Sequence, residues 1–188
     1  MKSNILKSIR ITLVLTVILC VIYPVFISLA GKLSKGHGDG ETIVLNGKVV
    51  GYANEGQSFT QPKYFWGRPS AVNYNAAGSA GSNKGPGNPD YLKEVSSRID
   101  TLLKYHPYLK RSDIPAEMVT ASGSGLDPDI SPAAAQIQIK RIADNRGLSV
   151  QKVTDLVAQQ TQAPLLGMFG PAKVNVLKLN VALDALSK

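Results

Sequence analysis

The residues that most often carry catalysis or metal binding are few in this chain and far apart. Its two histidines, His37 and His106, are 69 residues apart, and its single cysteine is Cys20. Zinc sites and activated nucleophiles need such side chains in clusters. The glycine-rich pattern that cradles ATP phosphates and the G-x-S-x-G pattern of serine hydrolases are absent. The sequence therefore predicts neither a metal site nor a catalytic site of its own.

Two carboxylates, Asp127 and Asp129, stand on either side of Pro128. They could share a cation, but the sequence offers no third ligand nearby. Asp beside Pro is also typical of a turn that precedes a helix. We interpret the pair as a turn and a pre-helix cap in preference to a cation site.

The segment around this pair has the composition of a structural joint. Glycine permits backbone conformations closed to other residues, Asp side chains bond nearby amides, and Ser before Pro caps a helix. The positions expected to act in this way are Ser122, Gly123, Gly125, Asp127, Asp129 and Ser131.

A second candidate region begins at the aromatic triplet Tyr64-Phe65-Trp66, which we interpret as a half-buried strand end in preference to a ligand-stacking site. In the loop that follows, residues 69–89, fourteen of twenty-one residues are Gly, Pro, Ser or Asn, and Lys84 is the only charge. Loops of this length are usually functional, partner-bound or disordered. The sequence leaves a partner-bound loop and a flexible one open.

An α+β domain is expected to position these residues. β-prone residues on both sides of Asn46-Gly47 predict a hairpin of residues 42–45 and 48–52 with a type I′ turn. Residues 174–177 predict a further strand, and helical signals fill most of the rest. Early strands followed by helices favour the α+β class.

Capping and breaking residues predict four helices in this domain, the last of which follows the strand at residues 174–177. The first three are expected to begin at Asp90, Ser131 and Ser149. They should end before Pro107, at Gly147 and before Pro164, respectively. The apolar positions expected to face inward are Leu92, Val95, Ile99, Leu102, Leu103, Val150, Val153, Leu156, Val157, Leu179, Val181, Leu183 and Leu186.

The longest apolar stretch, residues 11–30, is twenty residues long and carries no charge. At about 1.5 Å of rise per residue it forms roughly 30 Å of helix, the thickness of a bilayer's hydrocarbon core. Three basic residues and no acid precede it, whereas two lysines and then two acids follow. This bias favours a cytoplasmic segment 1–10, a transmembrane helix 11–30 and an extracytoplasmic domain 31–188.

A cleaved secretory signal would use the same stretch. Ser28-Leu29-Ala30 is an acceptable cleavage site, but twenty apolar residues exceed the roughly 7–15 of a signal core. The length favours a permanent anchor, and a free secreted binding protein is the alternative.

Within this stretch, the residues that are not large and apolar recur at every fourth position. They are Thr12, Thr16, Cys20, Pro24 and Ser28. Such a series makes a slowly winding ridge that another helix can approach closely. We expect this ridge to contact partner membrane helices, and chance spacing is the alternative.

The composition excludes two further classes. Net charge is +8, with three of these charges before the membrane span, but basic residues are scattered and aromatics make up 6 %, so nucleic-acid binding is not expected. Because Cys20 lies in the span, the exterior domain can form no disulfide and needs an ordinary hydrophobic core.

The residues from Met118 to Ala135 resemble the signature of KdpC, the C subunit family of the Kdp potassium-transporting P-type ATPase. Other motifs resemble those of the family in the same order, although Ala80 stands where the family has a glycine. They are Tyr23-Pro24, YFWGRPSA at residues 64–71, YN at 74–75, GSAGSN at 78–83 and VNVLKLNVALD at 174–184.

The resemblance covers nearly the whole chain and implies an accessory subunit of a high-affinity, ATP-driven potassium uptake complex of the bacterial inner membrane, with an attached single-span anchor. The implied partners are a potassium-channel-like subunit (KdpA), the P-type ATPase subunit (KdpB) and the small KdpF subunit. The matching loop residues are candidate partner contacts: Arg68, Tyr74, Asn75, Gly81, Ser82 and Asn83.

The resemblance also implies a catalytic chaperone that raises the ATP affinity of the hydrolysing subunit, with Gln138 as the residue linked to ATP. This implication conflicts with the residues themselves, which provide no phosphate-binding motif and favour a domain outside the cell, where ATP is scarce. The alternative is a purely structural extracytoplasmic cap over the potassium entry path.

Overall fold

The computed structural model describes residues 2–186, with side chains from residue 4. Met1 and residues 187–188, which end the predicted first and last segments, lie outside the described residues. The chain divides into two compact units, Met1–Thr42 and Ile43–Lys188. Each is described by itself.

The first unit is dominated by one long helix. It comprises α1 (Lys2–Val17), a π-helical turn (Ile18–Ile22) and α2 (Tyr23–Gly31). Over Asn4–Gly31 it is long and apolar enough to cross a membrane, and its most apolar part is not buried within the chain. The predicted span lies within this helix, which begins earlier than the sequence indicated.

Pro24 explains the π-helical turn, which the sequence analysis did not predict. Proline has no N–H, and its ring clashes with the carbonyl four residues earlier, here that of Cys20. The helix widens just before it, because the Tyr23 amide bonds to the Ile18 carbonyl five residues back.

The second region of structure opens with the predicted hairpin, β1 (Thr42–Leu45) and β2 (Lys48–Tyr52). Asn46 and Gly47 have φ angles of 52° and 75°. Two positive φ angles in a two-residue loop define the type I′ turn, so this prediction is confirmed.

The rest of the domain combines helices with a small antiparallel sheet of order β3-β5-β4. In its register Val174 lies between Ile130 and Thr161. The elements are α3 (Pro89–Tyr105), β3 (Asp129–Ile130), α4 (Pro132–Gln136), α5 (Ile139–Arg146), α6 (Val150–Gln160), β4 (Thr161–Gln162), β5 (Lys173–Asn175) and α7 (Val176–Leu186). The α+β fold is confirmed.

The hydrophobic core lies among α4 to α7 and the sheet, and α3 packs on it through Ile99 and Leu102. Most predicted inward positions are buried or partly buried. The prediction is wrong for three positions, because the exposed fraction is 53 % for Leu92, 51 % for Val150 and 44 % for Leu186. All three lie in a terminal turn of their helix, beyond the edge of the core.

Two predicted helix boundaries were also wrong. The cap of α3 is Asn88 and not Asp90, because the Asn88 side chain accepts from the amides of Asp90 and Tyr91 at 3.0 and 3.1 Å. The helix expected to run unbroken from Ser131 is interrupted at Gln138, whose side chain takes the Ala134 carbonyl that its own amide would bond in a helix.

Candidate partner-contact surface and its buried support

The aromatic triplet is not a strand end, and Phe65 is fully buried. Two buried side-chain amides take the place of a neighbouring strand. Asn180 on α7 accepts from the Phe65 amide at 2.8 Å and donates to the Phe65 carbonyl at 3.0 Å. Gln138 does the same for Trp66, at 2.8 and 3.1 Å. These bonds satisfy backbone groups that would otherwise be buried without partners.

Gln138 has no hydrogen-bonding capacity left for a ligand. Besides Trp66, its Nε2 donates to the Ala134 carbonyl at 3.1 Å, and its Oε1 accepts from Arg141 at 2.7 Å. A glutamine amide offers two donor and two acceptor positions, and all four are filled here. The side chain is also fully buried, so as placed it does not fit a direct contact with ATP.

Arg141 extends this cluster toward His106, and both are buried. The Arg141 guanidinium lies 4.2 Å from the Trp66 ring centre, and its Nε donates to His106 Nε2 at 2.9 Å. The other ring nitrogen, Nδ1, bonds to the Leu102 carbonyl at 2.8 Å. With that carbonyl as its acceptor, Nδ1 carries the proton and leaves Nε2 free to accept.

The cluster keeps His106 neutral. Burial lowers the pKa of His106 to about 4, with a further lowering by Arg141, although the bond to the Leu102 carbonyl opposes the shift. Burial likewise lowers the pKa of Arg141 to about 10. A proton on Nε2 would point at the arginine that now donates to it. The chemistry of this cluster is therefore that of a fixed structural support.

Of these support residues, only Gln138 is a site residue predicted from the sequence. Arg141 carried a signal, since it follows Gln138 by one helical turn and lies on the same face. Asn180 lay inside a recognised motif, but nothing indicated that its amide reaches Phe65. The partnership of His106 with Arg141, 35 positions along the chain, has no sequence signal.

Arg68, which directly precedes the predicted loop, joins this part of the chain to the signature segment. Its Nη1 pairs with Asp127 Oδ2 at 3.0 Å, and its carbonyl accepts from the Tyr74 hydroxyl. The pKa of Tyr74 is raised to about 12 by burial and by Asp127, against the opposing effect of Arg68. The Tyr74 hydroxyl is therefore a donor throughout the physiological range.

Two serines complete this junction. Ser70 Oγ donates to the Gly125 carbonyl at 2.7 Å, and Ser122 Oγ accepts from the Gly125 amide at 2.9 Å. Gly125 has a φ of +70°, and a Cβ there would lie 2.7 Å from the Ala80 carbonyl oxygen. Only glycine fits, as predicted.

The prediction for Gly123 was wrong. Its φ is not positive, and a Cβ on it would meet open space. The loop backbone passes close to the Gly123 backbone, and the glycine needed for this is Gly81. A Cβ on Gly81 would lie 2.9 Å from the Gly123 carbonyl oxygen. The loop and the signature segment therefore touch backbone to backbone.

The two carboxylates differ in their partners. Asp127 Oδ1 accepts from the Asp129 amide at 3.1 Å, as expected of a turn. Asp129 itself bonds to Lys173 Nζ at 2.6 Å and not to an amide, because it lies in β3, which pairs with the strand that carries Lys173. Ser131 caps α4 as predicted, accepting from the Ala134 amide at 3.1 Å.

The candidate contact residues thus separate into two groups. Arg68, Tyr74 and Gly81 are partly buried and make the junction described above. Asn75 and Asn83 are exposed; Asn75 caps a short 3₁₀ turn at Ala76–Gly78, and Asn83 has a φ of 52°. Ser82 is half-buried. The exposed asparagines are available to a partner, whereas the others position the loop.

An open cleft of about 410 Å³ lies between this loop and α3. Trp66, Arg68 and Tyr74 line one side, and Arg98 and Tyr105 line the other. Arg98 is bound to the Val119 carbonyl at 2.9 Å, and its Nη2 lies 3.5 Å from Glu94. The cleft walls are therefore held by the same junction and by α3.

All five residues of the predicted membrane ridge are exposed on the N-terminal helix. Thr12 and Thr16 lie in α1, Cys20 in the π-helical turn, and Pro24 and Ser28 in α2. Their side chains are free to contact neighbouring helices.

Comparison with known proteins gives one consistent family. Residues 5–185 match the family described as "KdpC: K+-transporting ATPase, c chain". The chain is 57 % identical to the potassium-transporting ATPase KdpC subunit of Bacteroides fragilis, over 98 % of both chains. It is 58 % identical to that of Flavobacterium johnsoniae, over 98 % of this chain and 99 % of the relative. Identity to the subunit from Caldanaerobacter subterraneus is 46 %, over 97 % and 95 %.

Proposed function

Because the chain belongs to the KdpC family, the c chains of K⁺-transporting ATPases, we propose that it is a non-catalytic accessory subunit that assembles such a complex in the bacterial inner membrane. The long N-terminal helix is the observation that carries this proposal. Its apolar side chains are exposed along its whole length, and a ridge of small residues interrupts them. The helix therefore serves as an anchor and as a docking element for the membrane helices of the partner subunits.

The π-helical turn supports the docking role of the ridge. In a regular α-helix each four-residue step turns about 40° past a full turn, so five such residues would wind around the helix. A π-helix holds more residues per turn, so each residue advances through a smaller angle. The turn at Ile18–Ile22 offsets part of the winding and brings the two ends of the ridge closer to one face.

Substitutions on and off the ridge test this proposal. Thr16→Leu or Cys20→Leu places a bulky side chain on the ridge and prevents the close approach of a partner helix. Either change should weaken co-purification of the channel-like and ATPase subunits. Leu15→Phe and Leu19→Phe, which enlarge neighbouring side chains off the ridge, are the matched controls. Equal losses from both sets would show that the ridge does not define the interface.

For the exterior domain we propose a structural role over the outer mouth of the potassium path. The exposed asparagines of the loop, Asn75 and Asn83, would contact the partner, and the junction below would hold them in place. The basic N-terminus supports the outward orientation. Asn75→Asp with Asn83→Asp should loosen the complex without changing the stability of the isolated subunit, since neither position is in the core. An unchanged complex would remove the loop from the interface.

The second candidate function is the ATP-affinity role implied by the family, acting through Gln138. Since the amide of Gln138 is saturated, Gln138→Ala should destabilise the domain by releasing the Trp66 segment, while the ATP concentration for half-maximal hydrolysis by the intact complex stays the same. A well-folded Gln138→Ala complex that needs clearly more ATP would instead support the chaperone role. Thermal unfolding and ATP titration of the same preparation separate the two.

A further inference from the structure

A hairpin tip between β4 and β5 exposes four large apolar side chains. Leu165, Leu166, Met168 and Phe169 are 70 %, 78 %, 75 % and 58 % exposed. Side chains of this size are normally buried, and four of them on one short turn form a projecting apolar surface. We call residues 165–169 the apolar tip.

The tip is a folded structure and not an extended loop. Leu165 and Phe169 pair as an antiparallel bridge, and each amide donates to the other's carbonyl at 2.9 Å. The amides of Gly167 and Met168 donate to the carbonyls of Pro164 and Leu165 at 2.9 and 3.2 Å. Four of the five amides of residues 165–169 are thus satisfied within the tip. Such internal pairing lowers the cost of entering a medium that offers no hydrogen-bond partners.

Leu166 adds a second indication, because its φ is +54°. This left-handed conformation is unfavourable for leucine and suits asparagine or glycine, as at Asn46 in the first hairpin. A leucine here costs backbone free energy and exposes an apolar side chain at the same time. Strained residues of this kind cluster at functional sites, so the exposed Leu166 indicates a functional role for the tip.

Charge and tethering indicate what covers the tip. Residues 156–172 contain no charged side chain, so the whole hairpin end is neutral. Only ten residues, 32–41, separate the end of α2 from the start of β1, which at about 3.5 Å per residue allows at most ~35 Å. With the N-terminal helix in the membrane as proposed, the start of the domain lies within that distance of the bilayer.

We propose that the apolar tip inserts shallowly into the bilayer and forms a second membrane contact besides the N-terminal helix. The partner is the interfacial hydrocarbon of the lipid, which accepts Leu, Met and Phe side chains and favours a backbone whose amides are mostly bonded internally. The N-terminal helix anchors the chain, whereas the tip fixes the orientation of the exterior domain against the membrane. This inference rests on the proposed anchoring role of the helix, but not on the ridge.

The full chain in vesicles containing phosphatidylglycerol provides the test. Cys20→Ser removes the only cysteine, so a single Met168→Cys can carry an environment-sensitive fluorophore. Gln151→Cys is the matched control. It is exposed on α6 near the opposite end from the hairpin, about 14 Å away along the helix axis. Lipids with a nitroxide at shallow depth should quench the label at position 168 and not at position 151.

Leu166→Asn keeps the proposal testable apart from folding. Asparagine relieves the positive φ, so thermal stability should be unchanged or higher, while the loss of the apolar side chain should reduce lipid quenching at position 168. Two outcomes overturn the proposal. One is full access of a water-soluble quencher to position 168. The other is protection that appears only when the partner subunits are present and that nitroxide lipids do not reach, which would assign the tip to a protein pocket.

Discussion

Large apolar side chains are placed in opposite ways in the two units of this chain. In the N-terminal helix Phe26 is 66 % exposed, whereas in the domain Phe65 is completely buried. The domain therefore supplies its own core, and the helix must obtain burial from lipid or from other proteins. One unit is therefore stable through internal packing and the other through its environment.

Polar groups follow the same division. The small ridge residues of the helix, such as Thr16, face outward, whereas Gln138 and Asn180 lie in the core with bonds to a buried backbone segment. Polar side chains thus hold the domain together internally, whereas those of the helix ridge are exposed.

The largest difference is expected for leucine truncation. Leu179→Ala removes a fully buried side chain and should lower the free energy of unfolding by about 2–5 kcal/mol. Leu15→Ala, in the exposed helix, should leave domain unfolding unchanged. Chemical denaturation of the full chain in detergent, followed by Trp66 fluorescence, measures both. Similar losses would show that the helix contributes to the domain core.

The two histidines should differ in their effect on pH dependence. Unfolded His106 binds a proton near its ordinary pKa of 6.5, whereas the folded protein holds that pKa at about 4. Acid therefore favours the unfolded state. The stabilisation is complete above about pH 6.5 and is lost as the pH falls toward 4, by about 3 kcal/mol in total.

His106→Gln keeps an acceptor for Arg141 but does not titrate, so its stability should fall less between pH 6.5 and pH 4 than that of the unchanged protein. His37→Gln, in the N-terminal unit, is the control, because it changes a histidine outside the domain whose unfolding is measured. Equilibrium unfolding at several pH values gives these slopes. Parallel curves for all three proteins would contradict a neutral, buried His106.

A smaller loss is expected from Asn180→Ala. This change leaves the buried amide and carbonyl of Phe65 without their side-chain partners and should cost about 2 kcal/mol, in the range for buried unsatisfied groups. Thr12→Ala in the helix is the matched polar truncation and should not alter domain stability. Thermal unfolding of the two variants decides the point, and a neutral Asn180→Ala would mean that another group replaces the amide.

The smallest effect is expected from truncating a serine. Ser131→Ala removes the bond to the Ala134 amide and should cost about 1 kcal/mol. Ser28→Ala, in the middle of α2 and without a capping role, should cost the domain nothing. A Ser131→Ala protein as stable as the original would indicate that water caps α4 equally well.

Features determined by local chemistry could be read from the sequence. Asn46-Gly47 specified its turn, Ser131-Pro132 its cap, and the uncharged run its long helix. The errors arose where distant residues decide the outcome. The side-chain amide of Asn180 takes the place of a strand beside Phe65. The Gly123 carbonyl requires a glycine at position 81, whereas position 123 itself has room for a side chain. Such pairings depend on tertiary packing, which no spacing along the chain encodes.

The most direct test of the account is the side of the membrane on which the domain lies, because an outer location supports a structural cap and separates the domain from ATP. Gln151→Cys in the Cys20→Ser background gives one exposed thiol on the domain. A membrane-impermeant maleimide should label it in spheroplasts and not in sealed inverted vesicles. Labelling only in inverted vesicles would place the domain in the cytoplasm and contradict the proposed role.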